Sequence, residues 1–249
     1  MTVKNDRHCW LALCLAMLVL PATGGELAAL RVVAADLPPF SVASGSGTPG
    51  ALVEIVELLA ATAGVATKVE FVPWKRATVL PQSGKRIAIF PLTRTPERER
   101  QYRWLVKLFK QDFVLVARRS SALPLDDTDA MRGRRILVLR GSPHLKYLQE
   151  QGFKLVTEAT SVEDMQRMLV AGMADAIYGS EAINRAILGR THRTMAEFTF
   201  SAPLNSGDIW LGGSLDFSDA DAKALRSALD KVIADGRYQA ILQRYQLVK

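Results

Sequence analysis

Cysteine is nearly missing from this chain of 249 residues: its two copies, Cys9 and Cys14, both sit close to the N-terminus. The rest of the chain therefore has no disulfide framework, no thiol nucleophile and no cysteine metal site. Histidine is almost as scarce. Beyond the N-terminal segment only His144 and His192 remain, too far apart for a local metal motif. The glycine-rich stretch 44–50 does not end in Gly-Lys-Ser/Thr and so is no phosphate loop, and Gly179-Ser180-Glu181 lacks the second glycine of a nucleophile elbow. After Leu20 no apolar run approaches the roughly 20 residues that cross a bilayer. The net charge is +7, but basic residues are dispersed among acidic ones from Arg31 to Lys249 and are not gathered with stacking aromatics. That pattern argues against nucleic acid as a partner and suits the steering of an anionic solute.

The N-terminus has the layout of a secretory signal peptide. Lys4 and Arg7 precede an uncharged run from Trp10 to Leu20, and Pro21, Ala22, Thr23 and Gly24 follow it. Cleavage is expected near residue 25, with export to the periplasm. Both cysteines leave with residues 1–25, and their surroundings lack a lipobox, so no lipid anchor is expected.

Beyond the leader, apolar strand-like runs alternate with helical periodicity. Leu30 to Ala35 reads as a buried strand, halted by Pro38-Pro39. Leu52, Ile55, Val56 and Leu59 mark a helix closed by Gly64. Strands at Val69 to Val72, Ile87 to Leu92 and Phe113 to Ala117, with a short helix at Lys75 to Gln82, complete a first series. The rhythm restarts after the turn-rich stretch 120–129, with strands near residues 136–139, 155–157 and 176–178 and helices between them. One of these helices opens with a Ser161 and Asp164 capping pair. An apolar strand from Asp208 and two amphipathic helices after Ser218 end the chain. The expected fold class is α/β with a parallel layer: two lobes, lobe 1 from 26–117 and 206–249 and lobe 2 from 118–205, with a cleft between them.

Ligands of open α/β sheets gather at the carboxyl ends of strands. Three strand-to-helix junctions are candidates for that position. In the first, Thr93 ends a strand, Thr95 caps, Pro96 opens a helix and Arg98 falls in its first turn. A guanidinium there opposes the helix dipole unless an anion offsets it, and makes a good carboxylate clamp. In the second, Gly141 turns, Ser142 caps and Pro143 takes the first helical position. The third is at Ser180, and the aromatics Phe40 and Trp74 follow strand ends, where they can flank a ligand.

The stretch Phe71-Val72-Pro73-Trp74 through Gln82-Ser83-Gly84, followed by a strand and Thr95-Pro96-Glu97-Arg98, resembles the family 3 bacterial extracellular solute-binding proteins, amino-acid receptors of ABC transporters. The resemblance covers nearly the whole chain after the leader and implies the two-lobed (type II) periplasmic binding-protein fold. It implies that Arg98 holds a ligand carboxylate, that Thr93 and the Gly141-Ser142 loop assist, and that Trp74 covers the ligand. It also implies no cofactor and an ABC permease or a membrane sensor as partner. This chain departs from the pattern at three positions. Ser180 stands where relatives place an aspartate for the ligand's ammonium, Leu37 where many carry an aromatic lid, and Pro143 where many carry a threonine. Asp36, Glu181 or Asp208 remain as candidates for the missing carboxylate. The expected ligand is a small carboxylate-bearing or polar amino-acid-like solute, captured and not transformed. Two alternatives are a sensing or adaptor module without transport and a cyclohexadienyl dehydratase-like enzyme using Glu181 as its acid.

Overall fold

The computed structural model describes residues 29–43, 47–190 and 193–248. The expected signal peptide and His192 lie outside the described residues. The chain begins with strand β1 (Leu30–Ala34), helix α1 (Ala51–Thr62), strand β2 (Thr67–Phe71), helix α2 (Trp74–Ser83) and strand β3 (Ile87–Thr93). β1 pairs in parallel with both β2 and β3. Leu52, Ile55, Val56 and Leu59 are fully buried along one side of α1, each burial contributing roughly 1.5–3 kcal/mol. Past the end of α1, Gly64 takes φ 74°, the left-handed turn that glycine adopts without steric cost.

The segment 103–118 departs most from the expected pattern. A strand was expected only at Phe113 to Ala117, yet β4 runs unbroken from Arg103 to Arg118. Its pairing explains the length. Arg103 to Phe113 pairs antiparallel with β9 (Asn205–Gly213), and Phe113 to Val116 pairs antiparallel with β7 (Ala176–Ser180). Trp104 therefore sits in β4 with its ring edge-on to Trp210 at 6.1 Å. One strand thus serves both halves of a sheet ordered β2-β1-β3-β9-β4-β7-β5-β6, with β5 at Arg135–Leu139 and β6 at Leu155–Ala159. The two flanks are parallel, as expected, but the centre is antiparallel. The expected boundary at 117/118 falls inside β4, and the pairing passes from β9 to β7 at Phe113.

Between β4 and β9 lie α3 (Thr128–Met131), α4 (His144–Glu150), α5 (Val162–Val170), α6 (Glu181–Arg190) and the short β8 (Phe198–Phe200), which pairs with β4. Ser161 caps α5 by accepting from the Asp164 N–H at 3.0 Å, as the capping pair led one to expect. The chain then returns to the first half, where α7 (Asp219–Ala234) opens on a Ser218/Asp221 capping box and α8 (Arg237–Arg244) follows. Tyr245 ties this end back to α1, its hydroxyl accepting from the Gly50 N–H at 3.1 Å and donating to Glu54 at 2.7 Å. The main hydrophobic core draws on both halves, from Val32 and Leu59 to Leu169 and Ile187. A smaller cluster around Leu115, Ile136 and Leu148 belongs to the second half alone.

Candidate functional site

The carboxyl ends of β1 and β3 face those of β5 and β7 across a cleft crossed by β4 and β9. Two connected spaces fill it. The outer one, about 580 Å³, is bounded by α2, the 93–102 segment, α4 and residues 205–207. The inner one, about 50 Å³, is lined by Leu37, Trp74, Gln111, Met165, Ser180 and Asn184, among others. Thr93, Phe113, Ser142, Pro143, His144 and Tyr178 border both.

Arg98 stands where the two halves meet. The expected helix after Thr95 is one turn of 3-10 helix, Pro96–Arg98, without a side-chain cap from Thr95. This tight turn leaves Arg98 8 % exposed. Its guanidinium donates from Nη1 to the Thr93 carbonyl at 3.1 Å and from Nη2 to the Gly141 carbonyl at 2.8 Å, bridging the halves. Among the described residues no carboxylate forms an ion pair with it. Burial pulls its pKa downward, but a guanidinium remains charged. The site is therefore organised around a buried cation held only by carbonyl dipoles.

Gly141 receives Arg98 because it turns with φ 81°. A Cβ there would stand 3.0 Å from the Lys75 side chain and 3.4 Å from its Cα, so the close approach of the halves depends on glycine. Pro143 occupies the cap of α4 and not its first turn, and the Ser142 hydroxyl accepts from the His144 N–H at 3.4 Å. Trp74 opens α2, is buried, and covers the inner space. Thr93 lies on the wall shared by both spaces. Ser180 faces the inner space while its hydroxyl accepts from the Ile183 N–H at 3.3 Å, at the start of α6.

Two candidates lie elsewhere. Phe40 is fully buried and packs on Phe109 with ring centroids 5.6 Å apart, a core position fixed by its carbonyl accepting from Leu52 and Val53. Asp36 lines a separate groove with Phe71 and Trp74, and its carboxylate pairs with Arg190 at 3.3 Å. The other proposed carboxylates are also engaged outside the cleft: Glu181 with Arg185 at 2.7 Å and Asp208 with Lys107 at 2.7 Å.

The structure adds residues that sequence reading passed over. His144 is buried between the rings of Phe113 and Tyr178, at 4.7 and 5.1 Å, and Tyr147 stacks on Tyr178 at 5.6 Å. Burial, and then the charge of Arg98, push the His144 pKa down to about 3. Burial also raises the Tyr178 hydroxyl far above its usual range. Gln111, on the crossing strand β4, and Asn184, on α6, reach the inner space as neutral amides. The buried Trp74 Nε1, Gln111 Oε1 and Asn184 Oδ1 have no hydrogen-bond partner. A proline just before His144 was a sequence signal of a fixed entry to α4, but nothing local marked Gln111 or Asn184.

Comparison with known proteins places this geometry. Residues 30–248 match the bacterial extracellular solute-binding proteins, family 3. The chain belongs to that family. Among curated proteins, a membrane-bound lytic murein transglycosylase F of Pseudomonas fluorescens is 25% identical over 226 residues, covering 87% of this chain and 46% of that protein. The ABC transporter arginine-binding protein 1 of Escherichia coli is 25% identical over 159 residues, covering 61% of this chain and 62% of that one. The aligned part is thus less than two thirds of either relative. Solved structures share the fold at low identity. A mutant of ArgBP from T. maritima superposes with TM-score 0.77 at 20% identity, covering 90% of this chain and 97% of its own. A histidine kinase sensor domain with similarity to periplasmic binding proteins superposes with TM-score 0.79 at 20% identity, covering 87% and 95%. The fold is that of the periplasmic binding proteins, which fits the two facing strand-end walls and the antiparallel pair that crosses between them.

Proposed function

We propose that this family 3 solute-binding protein captures a small carboxylate-bearing or polar amino-acid-like solute by closing its two halves on it. In this reading the chain acts in the periplasm after export and delivers the solute to an ABC permease. One observation carries the proposal: Arg98, a buried cation without a carboxylate partner, stands at the meeting of the two halves. A ligand carboxylate at Arg98 would replace dipole contacts by a charge-assisted bidentate pair, a stronger arrangement in a water-poor site. Ser142 and Thr93 would assist, and Trp74 would cover the ligand body. The dehydratase alternative is disfavoured because Glu181 is paired with Arg185 and lines neither space.

Thermal unfolding of the purified chain against amino acids, dicarboxylates, keto acids and prephenate tests the proposal, with Arg98→Ala alongside. A solute at 100 times its dissociation constant is expected to stabilise the wild type by about 2.7 kcal/mol and the variant by far less. An equal response from the variant would show that Arg98 does not hold the ligand. Reconstitution with a candidate permease then separates transport from a sensing or adaptor role: ligand capture without any stimulation of uptake would favour the latter.

A further inference from the structure

We infer that the cleft recognises a 2-hydroxy monocarboxylic acid in preference to the corresponding amino acid. This rests on the ligand-capture reading above and names the ligand class of the same site.

No acidic side chain lines the inner space. The acidic groups of the outer space are engaged: Glu97 and Glu150 pair with Lys146 at 2.5 and 3.5 Å, and Glu158 accepts from the Gly141 N–H at 3.2 Å. The cleft therefore offers one buried cation, Arg98, and an inner space without an anion to balance a second positive charge, the Glu158 carboxylate, which has no ion pair among the described residues, lying in the outer space. A zwitterion held by its carboxylate would carry its ammonium into a space that lacks a counter-ion, a costly placement for a desolvated charge. His144 reports the same environment, because an imidazole at this wall is held neutral by burial and by Arg98.

The polar atoms left over in the inner space fit a hydroxyl. Asn184 donates through Nδ2 to the Ser180 carbonyl at 2.9 Å, which fixes the orientation of its amide and leaves Oδ1 as an unpaired acceptor. Gln111 Oε1 is a second acceptor, and Trp74 Nε1 is an unpaired donor. All three residues line one space of about 50 Å³, room for one or two water-sized groups. A hydroxyl both donates and accepts, so it can satisfy an amide oxygen and the indole N–H. The Tyr178 hydroxyl, also unpaired on this wall, is a further donor; a keto oxygen can only accept and donates to neither amide oxygen, whereas a hydroxyl donates to one of them.

The test uses isosteric pairs that exchange an ammonium for a hydroxyl: L-alanine and L-lactate, L-leucine and L-2-hydroxyisocaproate, L-phenylalanine and L-3-phenyllactate. Binding to the purified chain is followed by calorimetry and thermal unfolding, with Ser180→Asp as the second protein. Ser180 borders the inner space and caps α6, and aspartate caps a helix as well as serine does. Within at least one pair the hydroxy acid should bind the wild type tighter by about tenfold or more, and Ser180→Asp should narrow or reverse that ratio. Equal or tighter binding of the amino acids by the wild type overturns this inference while leaving the capture reading standing. A ratio unchanged by Ser180→Asp overturns the placement of the hydroxyl in the inner space. No response to any carboxylate, in these pairs or in the wider panel, overturns both.

Discussion

His144 makes the site sensitive to acid. Its pKa falls from the ordinary 6.5 to about 3 in the folded chain, so between those values the unfolded state binds more protons and stability rises with pH. The contribution is fully present above pH 6.5 and is lost as pH falls towards 3, at roughly 1.4 kcal/mol per pH unit in that window. Denaturant titrations at a series of pH values should show this slope in the wild type and a shallower one in His144→Gln. An unchanged slope would mean that other groups carry the acid response. Gly141 is a second point of sensitivity. Gly141→Ala places a methyl in left-handed backbone and against Lys75, so a loss of about 1–2 kcal/mol is expected, together with weaker ligand-induced stabilisation. Equal stability and binding would show that the loop relaxes freely.

Across the cleft, elements of the two halves are joined at their rims by ion pairs. Glu97, in the turn after β3, meets Lys146 on α4 at 2.5 Å, and Asp36, after β1, meets Arg190 on α6 at 3.3 Å. The Lys146 ammonium, with a backbone hydrogen bond second, holds the Glu97 carboxyl down at about 2. The pair therefore persists below the usual glutamate pKa and is lost only as pH falls towards 2. Exposed pairs contribute about 0–1 kcal/mol each, so Lys146→Ala combined with Arg190→Ala should change unfolding free energy little. Small-angle scattering should nevertheless show a larger radius for the ligand-free double variant than for the wild type. Identical profiles would mean that Arg98 and the apolar contacts close the cleft without help from the rims. In the first half, Gly50 at φ 100° leaves 2.7 Å between a built Cβ and the Phe40 carbonyl group. Gly50→Ala should therefore destabilise by about 1–3 kcal/mol, read from denaturant midpoints.

At the level of the whole molecule, β4 and β9 pass through the centre of the sheet and the main core takes residues from both halves. Separate unfolding of the halves would break that core and sever the strand they share. Urea unfolding should accordingly follow a single transition. Trp74, Trp104 and Trp210 all lie in the first half, so their fluorescence reports that half, whereas far-ultraviolet circular dichroism reports both. Coincident midpoints are expected, and separated ones would show that the halves unfold independently. Ligand should move both probes together.

The sequence by itself determined the local structure of the flanks. Period-3.6 apolar spacing gave α1 and α7, buried runs gave β1, β3, β5 and β7, and the cap residues Ser161 and Ser218 set helix starts, because these features depend on neighbours a few residues away. It also singled out Arg98, Thr93, Trp74, Gly141, Ser142 and Ser180, each tied to a strand-to-helix junction that local pattern reveals. Tertiary structure alone decided the rest. The first part of β4 was illegible because polar Lys107, Lys110 and Asp112 break its apolar pattern, and its pairing with β9 joins residues about 100 positions apart. Phe40 looked like a pocket aromatic because a strand end is the same in sequence whether the chain then turns outward or folds onto Phe109. Gln111, His144 and Asn184 come from separate elements and are brought to one inner space only by the tertiary fold, beside the outer space where Arg98 bridges the halves.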